Sequence, residues 1–472
     1  MKRSIIIAFV FFFLWFGSVK AEEKVYHTTP EGFPTWQVTG QRDDYLFIAN
    51  FRFEQCSPNG YLLILDGQGE LVYYQRVPDC RLATDFKPQT DGGASYWLGA
   101  GGQVMADTYY RMSSAYTITH EYTRIGESKV DPHELLLLPN GNILLLYVEQ
   151  VSLANVGGTI PNGFSSPSIV GMTIRELDAA QNIVFEWNSW EHFDLSDTLD
   201  RYLSGSVADY AHSNAIEVDS DGNLLLSTRH FDEITKIDRK TGAIIWRLGG
   251  KRNEFTLVGD NRWFSHQHDV RRLPNGHISL FDNGVYLEPA YSRYVEYAID
   301  EASKVITLTK QVIHDPPVYS VAMGSARNLA NDNLLIGWGS TSVPAVTEYT
   351  PQGRVAFELS LPPGDFSYRA YSGPWIGLPS WSPTVVEKDG ILWYSWNGAT
   401  EVAGYRIYGG ASKPTTLIES KVKQGFEDST LLQESYCTYK VVAVGKTGKA
   451  LGETLHRAES CRFSFLPWIG GS

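Results

Sequence analysis

Apolar and polar residues alternate in short runs along most of this chain, and turns containing glycine interrupt the runs. That pattern predicts strands, not helices. The stretch from His212 to Gly250, HSNAIEVDSDGNLLLSTRHFDEITKIDRKTGAIIWRLGG, reads as four short strands joined by tight turns. In its first strand Asn214, Ile216 and Val218 alternate with Ala215 and Glu217. Asp221-Gly222 is a two-residue hairpin signal, and Leu224–Arg229 is the returning strand. Such a loop sets Asn214 opposite Arg229, and the two-residue repeat of a strand puts His212 on the same face as Asn214.

The same hairpin recurs. DPHELLLLPNGNILLLYVE, HSNAIEVDSDGNLLLSTRH and HQHDVRRLPNGHISLFDNG align on their turn glycines Gly141, Gly222 and Gly276. His133, Asn214 and His268 then occupy equivalent positions, and a fourth copy, GSARNLANDNLLIGWG, carries Gly324 there. Hairpins that cannot bury a face alone mark a radial array, and equivalent positions in such an array face a common axis. His133, His212, Asn214, Arg229 and His268 are therefore expected to converge on one pocket.

Elsewhere Tyr45–Tyr74, residues 85–125, Ile174–Trp190, Arg293–Val312 and Thr347–Leu361 continue the strand pattern. The expected fold is an all-β, six-bladed β-propeller over residues 22–379. Ser152–Gly171 reads as a Gly/Ser/Pro-rich loop, and Trp190–Leu203 as a short helix or lid. After the Pro/Ser-punctuated stretch Leu378–Pro383 the pattern changes. Residues 380–472 resemble a C-terminal β-sandwich of fibronectin type III kind.

At the other end, Lys2-Arg3, an apolar run from Ile5 to Phe16 and Val19-Lys20-Ala21 read as a signal peptide over residues 1–21. The run is short for a membrane span. The expectation is a secreted or extracytoplasmic protein without stable membrane insertion. The formal net charge of −13 argues against nucleic-acid binding. Four cysteines in an exported chain suggest two local disulfides, Cys56–Cys80 and Cys437–Cys461, and no C-x-x-C pattern is present.

The run from YAHSNAIEVDSDGNLLLSTRH through TKIDRKTGAIIWRLGGK and HQHDVRRLPNG to ISLFDNG, with upstream HELLLLPNG and downstream LLIGWGS and YRAYSGPWIGLP, resembles the arylsulfotransferase family, in particular its eukaryote-rich branch. The resemblance spans about Tyr45 to Pro379. It implies a six-bladed propeller and sulfuryl transfer from an aryl sulfate ester to a phenol, without a nucleotide donor, through a histidine that carries the sulfuryl group. His212, Asn214 and Arg229 match the family's His-x-Asn and returning-strand Arg, His133 matches an earlier histidine, and His268 matches the His of Gln-His-Asp. His266 departs from the family, in which an aromatic residue is common there. It competes with His268 for the role of nucleophile, and the hairpin register favours His268.

That chemistry needs a neutral imidazole to attack sulfur, with cationic and amide donors for the sulfuryl oxygens. His268, His212 and Arg229 are the candidate catalytic residues. His133, Asn214, His266 and Asn283 are candidates for substrate binding. No metal and no cofactor is called for, and the partners are a small aromatic sulfate donor and a phenolic acceptor.

Other readings stand beside this one. A lone strand histidine is usually structural. Arg229 could pair with Glu217 or an aspartate, and Asn283 could orient His268 or close a turn. Asp131, Glu134, Asp269 and Asp282 read as turn and edge groups. His133, His212, His266 and His268 with Asp269 would suffice for a metal-dependent propeller hydrolase, although Arg229 would repel the cation. A non-enzymatic propeller that binds a ligand or partner is the third possibility.

Overall fold

Three-residue hairpin loops set the architecture. At the Asp221-Gly222 turn, Asp219 and Asn223 are joined through the Asp219 N–H, and the Gly222 N–H returns to the Asp219 carbonyl. Gly222 takes a φ of 85°, the left-handed position that ends such a loop. Leu138–Asn142 and Leu273–His277 repeat the pattern, with Gly141 at 84° and Gly276 at 85°. The loop is thus one residue longer than the two-residue turn expected from sequence.

The computed structural model describes residues 26–53, 60–99, 107–156, 164, 166–458 and 461. The proposed signal peptide and Cys56 lie outside them, as does much of the loop between Ser152 and Ser168. The described chain is all-β, in small, mostly antiparallel sheets arranged like a propeller. Sheets of four strands are led by Leu82–Pro88, Lys129–Leu137 and Ser213–Val218. His268–Arg272 leads a sheet of five, whose added strand Thr256–Val258 pairs in parallel. Ser325–Asn328 leads another, completed at its far edge by Gln37–Gly40 from the start of the described chain. Phe366–Gly373 heads the sheet that continues through Tyr45–Phe51. The leading strands touch in a closed cycle, from Phe366–Gly373 through those of residues 82, 129, 213, 268 and 325 and back.

Alternation explains the core. In Ser213–Val218, Ile216 packs with Leu144 and Leu146 of the preceding sheet, and Ala215 packs with Val270 and Leu280 of the next. Each strand thus buries both faces between sheets, which leaves polar groups for the central axis.

Residues beyond 380 form two further sheets, Thr384–Lys388 with Ile391–Ser395 and Glu427–Leu431, and a four-stranded sheet built on Gly404–Gly410. The N-terminal strap holds them: the His27 ring stacks 3.8 Å from Trp393, and the Thr28 N–H donates to Glu427. Cys437 and Cys461 form a disulfide with Cα atoms 5.5 Å apart. Cys80 is also disulfide-bonded. No helix among the described residues is long and apolar enough to cross a membrane.

Candidate functional site

The leading strands deliver three of the candidate residues, His133, Asn214 and His268, and local irregularities aim the others. The pairing of Ser213–Val218 with Leu224–Thr228 runs Ala215 to Ser227 and Ser213 to Thr228, with a bulge at Asn214. Arg229 therefore does not lie opposite Asn214; its N–H donates to the His212 carbonyl at 3.1 Å, in a short 3-10 turn over Arg229–Phe231. The longer loop and the bulge together shift the register. His212 precedes the strand in left-handed conformation, φ 50°, so it does not share a strand face with Asn214. His266 and Asp232 are left-handed too, at 55° and 56°. Strained backbone of this kind concentrates where side-chain direction matters for function.

Two of the imidazoles expected in one pocket, those of His133 and His212, meet. The rings of His133 and His212 lie 5.2 Å apart, edge to face, and His212 stacks on His230 at 4.6 Å. His133 Nδ1 faces Asp131 at 2.5 Å, and His212 Nδ1 faces Asp209 at 2.6 Å. Burial opposes charging of His212, yet Asp209 outweighs it and the pKa is raised. Asp209 titrates at about 2; burial works against its charged form, but His212, His230 and His133 hold the carboxylate ionised. His230 Nδ1 donates to the Asp209 carbonyl at 2.6 Å, and burial together with His212 lowers its pKa to about 3.

His268 is buried and fully engaged. Its Nδ1 lies 2.7 Å from Asn283 Oδ1 and 3.0 Å from the His266 carbonyl, both acceptors, so Nδ1 carries the proton. Nε2 then accepts the Met323 N–H at 3.2 Å. Burial and the Arg229 charge push its pKa well below the usual imidazole range. Asn283 does not pair across the strand, since Phe281 opposes His268, but it orients the ring from the strand end and donates to Ser320 and Met323 carbonyls. Asn214 is wholly buried; its amide donates to the Gln267 carbonyl at 2.8 Å, and its Oδ1 has no partner among the described residues.

Arg229 is half-buried beside this cluster. Its guanidinium donates to Tyr202 Oη at 3.4 Å and to the Val321 carbonyl at 3.1 Å. Among the described residues it has no carboxylate partner: Glu217, the suspected one, pairs with Arg271 instead. A cation left without an acid suits an anionic ligand. The Tyr202 hydroxyl also lies 2.6 Å from His266 Nε2, and His266 Nδ1 lies 3.0 Å from Asp232.

Beneath the imidazoles is a buried ionic network. Arg369 donates to Glu134 at 2.8 Å and to the Asn214 carbonyl at 2.7 Å. Arg271 bridges Glu134 at 2.6 Å and Asp269 at 2.7 Å, Lys87 reaches Glu134 at 2.8 Å, and Arg327 reaches Asp269 at 2.6 Å. Burial opposes ionisation of both acids, but Arg271 with Arg369 and Lys87 pulls Glu134 well below the carboxylate range, and Arg271, Arg327 and Arg369 bring Asp269 to about 2. Glu134 and Asp269 are thus not the turn and edge groups expected. Asp282 is buried against Arg293 and the Ser265 N–H, and it also accepts the Gly284 N–H at 2.9 Å, the turn contact expected of it.

The metal-ligand set suggested by sequence is not assembled, because Asp269 is taken by arginines and His268 by Asn283 and Met323. Among the described residues, the group whose donor atoms could hold a metal is Asp209, His212 and His230, mutually within 4.8 Å. Tyr202, His230, Asp209 and Asp232 were not singled out from sequence. Asp209 had a faint signal, an acid three residues before His212. Tyr202 had no signal of its own; it lies in the stretch read as a short helix or lid, which is built of a four-residue helix, Ser189–His192, and 3-10 turns Leu195–Asp197 and Asp200–Tyr202.

A match to the family Arylsulfotransferase (ASST) spans residues 35–369, most of the chain and all the site residues above. The chain belongs to the arylsulfotransferase family, and its function is arylsulfotransferase-like. No curated protein matches it. Among solved structures, it is similar to a protein of unknown function from Bacteroides caccae, with 12% identity, TM-score 0.46 and coverage of 71% of this chain and 99% of the other. Virginiamycin B lyase from Staphylococcus aureus aligns with 13% identity and TM-score 0.35, covering 76% and 94%. A Lactobacillus plantarum protein aligns with 10% identity and TM-score 0.38, covering 83% and 99%. Likeness at this level carries no inference about function.

Proposed function

We propose that this protein is an exported sulfotransferase that moves a sulfuryl group from an aryl sulfate to a phenol through an N-sulfated His268, at the centre of a six-bladed propeller with a C-terminal sandwich. The observation that carries the reading is Arg229, a half-buried cation without an acid partner among the described residues, set beside neutral and charged imidazoles. In the first half-reaction His268 Nε2 attacks sulfur, the bond from sulfur to the aryl oxygen breaks, and protonated His212 delivers its proton to the departing oxygen. In the second, the acceptor hydroxyl gives a proton to His212 while its oxygen takes the sulfuryl group and the bond from sulfur to nitrogen breaks. Arg229 answers the charge on the sulfuryl oxygens.

The two imidazoles differ in the sense these roles require. Asn283 fixes the proton of His268 on Nδ1 and burial keeps the ring neutral, whereas Asp209 favours the charged form of His212. Environments that drive two like groups apart in pKa are how one site holds both a nucleophile and an acid. The Met323 N–H, now on His268 Nε2, is what the sulfuryl group displaces. The closed cycle of leading strands supports the propeller, and disulfide-bonded Cys80, Cys437 and Cys461 support export into an oxidising compartment. Incubation with 4-nitrophenyl sulfate followed by mass spectrometry is the test: an adduct on the His268 peptide, lost in His268→Ala, is expected, and an undiminished adduct in that variant refutes the assignment.

A further inference from the structure

Tyr202 places a phenol of the protein's own inside the site. Its ring lies parallel to His230, with centroids 3.4 Å apart and planes 8° from coplanar. Its hydroxyl lies between His266 Nε2, at 2.6 Å, and Arg229 Nη1, at 3.4 Å. His266 Nδ1 lies 2.9 Å from Ser265 Oγ, whose own hydrogen goes to the Val285 carbonyl, and 3.0 Å from Asp232, so the proton sits on Nδ1, Nε2 accepts the phenolic hydrogen and the guanidinium donates to the phenolic oxygen. One flat neutral face, one acceptor and one cationic donor are what a small phenol needs for binding.

We propose that Tyr202 is a self-ligand, and that His230, His266 and Arg229 form the aryl subsite from which it must swing before an external phenol or aryl ester can bind. This deepens the sulfotransferase reading by naming where the ring sits, and rests on it for the identity of the ligand. Three features of Tyr202 fit a removable occupant. It sits on a 3-10 turn outside the sheets, Asp200–Tyr202, whose anchor to the site is backbone, the Leu199 N–H donating to the His230 carbonyl at 3.0 Å. The ring is half-buried, so rotation of the side chain frees the subsite without unpacking the core. His230, its stacking partner, is backed on the opposite side by His212 and by the Asp209 carbonyl, so the platform stays when the ring leaves.

The experiment measures binding of 4-nitrophenol by calorimetry, without any sulfate donor, to the wild-type chain, Tyr202→Ala, Tyr202→Phe and Tyr202→Ala/His266→Gln. If the side chain holds the subsite about nine-tenths of the time, removing it lowers the Kd by about tenfold. Tyr202→Phe, which keeps the stack and loses the hydroxyl contacts, should fall between, and the double variant should lose the gain. A Kd unchanged or raised in Tyr202→Ala, or a gain that survives His266→Gln, overturns the proposal. Absence of sulfuryl transfer by the wild-type chain alongside the expected binding series would sink the sulfotransferase reading and keep the subsite; unchanged binding alongside intact transfer would sink the subsite alone.

Discussion

Oδ2 of Asp209 lies 2.6 Å from Nδ1 of His212, three residues along the same chain, and this contact raises the imidazole against the opposing effect of burial. A pH dependence follows. His268 is depressed and stays neutral throughout the neutral range, so the acid limb of its titration lies well below it. His212 must be protonated to act as the acid, so formation of the sulfated enzyme should fall as pH rises through its raised pKa. Asp209→Asn removes the stabilising charge and should move that fall to lower pH. Stopped-flow release of 4-nitrophenol across pH reads both, and a limb that does not move in the variant rejects the role of His212.

In the proposed transfer, Arg229 supplies the charge opposite the sulfuryl oxygens. Arg229→Ala should lower kcat by about a hundredfold or more, the usual loss when a preorganised donor is removed. Arg229→Lys keeps the charge but not the planar fork, and should recover only part of it. Steady-state rates with 4-nitrophenyl sulfate and phenol, beside unchanged circular dichroism, give the measurement.

Glu134 is wholly buried among Arg369, Arg271 and Lys87, and its loss removes the carboxylate these three cations share, although Arg271 keeps Asp269 and Lys87 keeps Asp85. Glu134→Gln should destabilise the protein by about 3–5 kcal/mol, the range for breaking a buried ion pair from one side. Urea denaturation measures it. Equal midpoints for wild type and variant would show that the network is energetically idle.

Acid should act through the same groups. Asp269 titrates at about 2, below the unfolded-state value of 3.8. A depressed carboxylate contributes stability that is present above the unfolded pKa and lost as pH falls through the folded one. Thermal midpoints should therefore drop between about pH 4 and pH 2. In Asp269→Asn the drop should be shallower, from a lower starting midpoint.

Chelation separates the metal reading from the sulfuryl reading. Arg229 beside the imidazoles opposes a divalent ion, so dialysis against EDTA should leave transfer activity unchanged. Activity lost to EDTA and restored by zinc would transfer the chemistry to Asp209, His212 and His230.

The hairpin repeat was legible because it is local: turn glycines, alternation and histidines at matching offsets are all read along one strand pair. His133 and His212 meet as that repeat implied. The register was not legible, since Asp221-Gly222 serves a three-residue loop here as readily as a two-residue one, and a bulge at Asn214 leaves no mark in composition. Glu134 and Asp269 looked like edge groups because each stands beside a histidine in a polar run. Their partners Arg369 and Arg327 come from other sheets, and only the ring closure brings them together. Tyr202 was invisible for the same reason, reaching His266 across 64 positions of chain.

Two seams join early and late parts of the ring: Gln37–Gly40 completes the sheet led by Ser325–Asn328, and Phe366–Gly373 heads the one containing Tyr45–Phe51. A chain emerging from the ribosome or a translocation channel thus exposes unpaired strand borders until residue 373 has cleared. During that interval chaperones would have to shield it from its neighbours, and a truncation just short of Phe366 should behave as a sticky intermediate instead of a smaller enzyme.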